Sequence, residues 1–163
     1  MPGPRELVIN TGPLLALAAA GRLGVLPALF RRVVVPQEVV REVAAGGPDQ
    51  FACAELAANT WLDQRTTPTP TPPFLLAALD PGEAAVIALA LAENIGTVCI
   101  DEVRGRRLAR LHALHVTGSL GILIQAKQQG LPVQLRADIA VMRQRGIWLS
   151  PALEAECLRL AGE

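Results

Sequence analysis

The sequence predicts an α/β fold, a three-layer α/β/α sandwich around a central, mainly parallel sheet, and three observations carry that expectation. Short aliphatic runs at residues 6–9, 33–35, 97–100 and 115–116 are each followed by a turn and a longer helix-forming stretch. In the second half the connections between these runs are short, so neighbouring strands must run parallel and be joined by right-handed helical crossovers. The composition supplies the core: 51% of the 163 residues are hydrophobic and only 18% are charged, enough for one well-buried domain.

The apolar run at 6–9 is broken by Asn10-Thr11-Gly12-Pro13 and reads as a first strand and turn. Residues 14–20 continue as a helix that Gly21 ends, and 23–30 make a second helical stretch. Val33-Val34-Val35 is β-branched and stops at Pro36, which is well placed to open the helix carrying Glu38 and Glu42. Gly46-Gly47-Pro48 ends that helix; 51–58 forms a short helix and 60–63 a short extended piece. The run TTPTPTPP at 66–73 favours extended backbone and cannot form a core, so it is expected as a surface loop inside one domain spanning 1–163. Asp80-Pro81-Gly82-Glu83 opens a helix to about Asn94, and residues 97–100 form a strand ending at Asp101. A helix at 104–113, a short strand at 115–116 and helices at 119–129, 134–145 and 151–161 follow, the last with Ser150 as its cap.

Composition also excludes some functions. The formal net charge is zero, so attraction of nucleic acid would require a local basic patch. Aromatic residues make up 3%, which argues against a stacking platform for single strands. Cys53, Cys99 and Cys157 are odd in number and widely spaced, which reads as reduced, mostly buried thiols in a cytoplasmic protein. Apolar stretches are interrupted before they reach about 18 residues, so no membrane span is expected.

In an open parallel sheet, sites gather at the carboxyl ends of the strands. Asn10 and Asp101 stand at two such ends, and Thr117-Gly118-Ser119 offers backbone N–H groups and hydroxyls at the same rim. Glu42 and Glu83 lie in helices that start at that edge. Carboxylates around one pocket repel unless a hard cation lies among them, and magnesium or manganese suits oxygen-only surroundings.

Five segments, VINTGPLLALAAAGRLGVL, VVVPQEVVREV, DPGEAAVIALALA, IDEVRGRRLA and VTGSLGILIQAK, occur in that order. Together they resemble a branch of the PIN-domain superfamily, from about residue 7 to residue 162. The resemblance implies a magnesium- or manganese-dependent ribonuclease, in many bacterial cases a toxin paired with a small antitoxin. Residue by residue it implies catalytic and metal-binding roles for Glu42, Glu83 and Asp101, with Glu102 beside them and Asn10 completing the metal set. Where the family carries Asp at the end of the first strand, this chain has Asn10, which can ligate a metal through its amide oxygen but adds no charge. The alternative function is therefore a PIN domain weakened in catalysis that binds nucleic acid or protein.

Local readings remain open beside these. Asp80 and Glu83 have the spacing of a capping box, Glu42 alone reads as a solvated helix charge, and Asn10 is a common turn residue. Arg104, Arg106, Arg107 and Arg110 form either a solvated face or, through Arg104 and Arg107 with Ser119, a phosphate-binding mouth. His112 and His115 do not make a zinc pair, and Trp61 and Trp148 read as packing residues. The apolar composition and the Leu- and Ala-rich terminal helices lead us to expect a homo-oligomer or a small partner.

Overall fold

The computed structural model describes residues 5–46 and 51–163. The helix stop expected at Gly47 and Pro48 lies outside the described residues. Strands β1 (Glu6–Ile9), β2 (Arg32–Val35), β3 (Asp63–Gln64), β4 (Thr97–Cys99) and β5 (His115–Thr117) form one sheet in the order β3-β2-β1-β4-β5. Every neighbouring pair is parallel, so the expected α/β class and parallel sheet are borne out. Leu7, Val8, Ile9, Val33, Val34, Val35, Val98 and Cys99 are all buried. These strands are covered on both faces, which is why they read as continuous apolar runs without alternation.

Among the described residues the helices are α1 (Thr11–Ala19), α2 (Leu26–Leu29), α3 (Gln37–Ala45), α4 (Phe51–Ala58), α5 (Pro73–Ala78), α6 (Pro81–Ala92), α7 (Val103–Leu111), α8 (Ser119–Gln128), α9 (Leu135–Gln144) and α10 (Pro151–Ala161). Crossovers leaving β1 step toward β3, whereas those arriving at or leaving β4 step toward β5. Because parallel crossovers are right-handed, the two sets cover opposite faces. The contacts agree: α1 packs on α3, α4, α8 and α9, while α6 packs on α5, α7, β1 and β4. The step changes direction between β1 and β4, the kind of switch point where a parallel sheet opens a crevice at its carboxyl edge. Helix α3 touches both α1 and α6 and so joins the two layers.

Helix α6 is buried from Gly82 through Ala90, apolar on every side, as befits a core helix. Its start is capped by Asp80, whose Oδ1 accepts the Glu83 backbone N–H at 2.9 Å, with Pro81 at the first position. At the other end of the chain Ser150 Oγ accepts from Leu153 N–H and Gly162, at φ +74°, closes α10.

Several boundaries differ from the sequence reading. Helix α1 begins at Thr11, because Pro13 falls in the first turn, where its missing N–H is not needed. Residues 23–30 divide into a 3-10 turn (Leu23–Val25) and the four-residue α2. Strand β3 is two residues long and overlaps the expected extended piece at 60–63 only at Asp63. Helix α5 was not expected; it starts at Pro73, the last residue of the Pro/Thr run, and is held by burial of Leu75. No single helix among the described residues is long and apolar enough to cross a membrane.

Candidate active site

The site is built at the carboxyl edge of β1 and β4. Asn10 donates its backbone N–H to the Cys99 carbonyl at 3.0 Å, joining the two strand ends. Its carbonyl accepts from Leu14 N–H, so it is the backbone N-cap of α1, but its side chain makes no capping bond. The residue is 5% exposed and its Oδ1 has no hydrogen-bond partner. The turn-capping reading is thus realised by the backbone alone. A buried oxygen left without a donor costs on the order of 1–3 kcal/mol.

Glu42 projects from α3, half-buried, and its Oε2 accepts the Thr11 hydroxyl at 2.5 Å. Its carboxylate lies directly over Gly82 in the first turn of α6. That brings Glu42 close to Glu83, which is 6% exposed. Only half of the expected capping box forms. Asp80 accepts the Glu83 backbone N–H, but the Glu83 carboxylate does not reciprocate, and its Oε1 is buried without a partner. Burial first, then the negative charges of Asp80, Glu102 and Glu42, push the Glu83 pKa up to about 7. Glu83 therefore takes up a proton near neutral pH.

Asp101 follows the same strand edge but turns away from this pair. Its Oδ1 accepts the Ser119 backbone N–H at 2.8 Å and its Oδ2 accepts the Ser119 hydroxyl at 2.9 Å. Both donors sit at the start of α8, whose dipole favours a carboxylate there. Arg106 lies alongside, its Nη1 donating to the Ile100 carbonyl at 2.8 Å. The residue as a whole reaches solvent, yet its carboxylate is desolvated against these neighbours. Burial raises the Asp101 pKa, opposed by the two Ser119 bonds and by Arg106.

The structure thus brings Glu42 and Glu83 together, with Asp80 and Glu102 beside them and Asn10 one residue from Thr11. It does not bring the Asp101 carboxylate into the same cluster. Among the described residues no three His, Cys, Asp or Glu side chains gather closely enough to grip an ion. Both oxygens of Asp101 are engaged by Ser119. Ser119, read from sequence as a nucleic-acid contact, is 1% exposed and committed to Asp101.

An open cleft of about 720 Å³ adjoins the pair, lined by Ala77, Ala78, Leu79, Asp80, Glu83, Glu102, Val103 and Arg104. Arg104 donates to the Ala78 carbonyl at 3.4 Å across its mouth. Arg107 is exposed on the same helix, and no ion pair engages either arginine among the described residues. His112 stacks on Phe74 at 5.6 Å between ring centres. Trp148, read as a packing residue, is 80% exposed, and the cysteines are free thiols.

A family model described as PIN domain matches residues 6–163. The chain belongs to the PIN-domain family. No curated protein and no solved structure matches it. The sheet order and the placement of the acidic edge suit a PIN domain, which is typically metal-dependent. Within this PIN domain, sequence reasoning missed Thr11 and Gly82 as partners of Glu42. Neither carries a chemical signature of its own; adjacency to Asn10 and Glu83 was the available signal. Asp80 and Arg106 had been noticed as a cap and as one of an arginine cluster. Only tertiary contact shows that they bear on Glu83 and Asp101.

Proposed function

We propose that this PIN domain is a metal-dependent ribonuclease of weakened activity, acting on RNA phosphodiester bonds at the Glu42–Glu83 pocket. The observation that carries the reading is the pair of buried oxygens without donors, Asn10 Oδ1 and Glu83 Oε1. Buried acceptors without donors suit a hard cation, and the donor set is oxygen only. Asn10, Glu42 and Glu83 would hold Mg2+ or Mn2+, with Asp101 joining only on release from Ser119. When bound, such an ion lowers the pKa of water and steadies charge on a phosphate. The chain's own contributions are distinct from that. Thr11 fixes the Glu42 carboxylate, Glu83 holds a proton near neutral pH, and Arg104 and Arg107 meet phosphates at the cleft mouth.

The weakness follows from Asn10. An aspartate there would add a negative charge, worth on the order of a few kcal/mol of cation attraction at about 4 Å and an effective dielectric near 20, before desolvation. Asn10→Asp should lower the metal-free melting temperature, raise the stabilisation given by manganese, and increase RNA cleavage. Equal manganese-induced shifts in the two forms would show that position 10 does not face the ion, and the reading would fall.

A second reading, a non-catalytic PIN domain that binds RNA or protein, is favoured by the commitment of Asp101 to Ser119. Absence of cleavage in both forms, with RNA bound, selects it. Under either reading Arg104→Ala with Arg107→Ala should weaken RNA binding and flatten its salt dependence by about one unit of slope per lost contact.

We extend the proposal to partners. Exposed Val103, Leu111, Trp148, Leu153 and Leu160 leave apolar surface that a second copy or a small antitoxin would cover. Light scattering giving a monomer at high concentration, with no co-purifying partner, overturns that part.

A further inference from the structure

Gly82 and Gly118 each lie under a carboxylate at the carboxyl edge of the sheet, Glu42 and Asp101, and neither is there for its backbone. Gly82 is in the first turn of α6, in ordinary helical conformation. Gly118, at φ −125° and ψ 178°, is an extended N-cap that any residue can adopt. What they share is a charged side chain lying in the space above the Cα atom. A Cβ built on Gly82 meets the Glu42 carboxylate, lying 2.8 Å from both its carbon and its Oε2. A Cβ on Gly118 falls 2.7 Å from Asp101 Oδ1 and 3.0 Å from Arg106 Nη1. Contacts under 3.0 Å are not made by real methyl groups, so a side chain at either position must displace the acid. By contrast, Gly12, Gly24 and Gly96 have nothing within 4 Å of such a Cβ.

The charged end of Glu42 is not free to yield. Its Oε2 is tied to Thr11, on another element, so the carboxylate is clamped between the Thr11 hydroxyl and the Gly82 backbone. Asp101 is likewise tied through both oxygens to Ser119, so it cannot swing from Gly118 without giving up two hydrogen bonds.

We propose that Gly82 and Gly118 are positioning residues, each leaving open the space in which one carboxylate of the carboxyl edge lies, Glu42 on Gly82 and Asp101 on Gly118. The consequence for cation binding rests on the metal-site reading above; the seating itself does not.

The test is a pair of double-mutant cycles read by thermal melting in EDTA and in manganese. Alanine in the first turn of a helix normally stabilises relative to glycine, so without a seat Gly82→Ala should raise Tm by about 2 °C. We expect it instead to lower Tm by about 4 °C or more, and to shrink the manganese-induced shift by at least half. Glu42→Asp withdraws the carboxylate by one methylene. In that background the added methyl should cost nothing, with Gly82→Ala/Glu42→Asp melting at or above Glu42→Asp alone. At Gly118 the sign alone is not diagnostic, because alanine is itself a poorer N-cap than glycine. There the loss caused by Gly118→Ala should shrink, in the Asp101→Ala background, to the ordinary glycine-to-alanine N-cap difference. Strictly additive cycles, or a Gly82→Ala protein more stable than the parent, overturn the proposal. If Gly82→Ala fails to fold, recovery of folding by Glu42→Asp supports it and continued misfolding overturns it. A parent protein without any manganese shift, with the coupling in EDTA intact, removes the metal reading and leaves the seats standing.

Discussion

Carboxylates at the two ends of the sheet are treated in opposite ways. Around the starts of β1 and β2, Glu6 is bonded by Arg31 and Arg32, and Glu93 is bonded by Arg65, which also takes Asp63. Arg32 further links the set, at 3.6 Å to Asp63 and 3.7 Å to Glu93. Hydrogen bonds from Arg31 to Glu6 and from Arg65 to Glu93 are the largest influences, and both pKa values lie below the ordinary carboxylate range. At the carboxyl edge no arginine among the described residues bonds Glu83, and its pKa is pushed up to about 7, mainly by burial. The first set is a closed, self-neutralised network that ties β1, β2, β3 and the end of α6 together. The second leaves an acceptor unpaired in the interior. Charges spent on structure have their partners inside the chain; Glu83 Oε1 has none among the described residues. Asp101 stands between the two cases, at the functional edge but satisfied internally.

That comparison can be broken most sharply at Asp101. Asp101→Ala leaves the Ser119 N–H and hydroxyl, both buried, without an acceptor, and should cost about 3 kcal/mol in urea unfolding. A midpoint equal to the parent's would place Asp101 with the idle carboxylates instead. Next in size is Glu83. Its folded pKa is raised, so its favourable contribution is fully present below the unfolded value near 4.5 and is lost as pH rises through about 7. In EDTA the parent should therefore lose stability between pH 5 and pH 8, by about 2 kcal/mol more than Glu83→Gln does over that range. Parallel profiles for the two proteins would remove the unpaired acid from the comparison.

The smallest effect is expected in the paired network, whose members are partly exposed and screened. Glu93→Gln should cost about 1 kcal/mol at pH 7, less in 0.5 M salt. Because the folded pKa of Glu93 is lowered, this contribution is present above the unfolded value near 4.5 and is lost as pH falls through the folded one. The difference between Glu93→Gln and the parent should accordingly vanish in acid, the reverse of the Glu83 pattern. A cost that grows toward low pH would contradict the paired assignment.

Much of the architecture was legible along the chain. The aliphatic runs of β1, β2 and β4 are buried on both faces, so their type does not depend on a distant partner's choice of side. The starts of α6 and α10 could be read from Asp80-Pro81 and Ser150-Pro151, since caps act within a few residues. By the same logic the misreadings fell where no local signal exists. The two-residue β3 is held by pairing with β2, and α5 is held by burial of Leu75.

What the sequence by itself determined is the parallel α/β order, the family, and which residues stand at strand ends and helix starts, because all of these are set by short-range pattern. Where each side chain points once there was decided only by the tertiary structure. Asn10, Glu42 and Glu83 could be nominated from their positions, but the unpaired state of Asn10 Oδ1 and Glu83 Oε1 depends on what every neighbouring element fails to supply. Asp101 could be nominated equally well, and it is turned aside by an N–H and a hydroxyl from α8, some eighteen residues away. The clearance over Gly82 belongs to α3 as much as to α6. Hydrogen-bond satisfaction and steric clearance are sums over all neighbours in space, and adjacency in sequence contributes only a few of them.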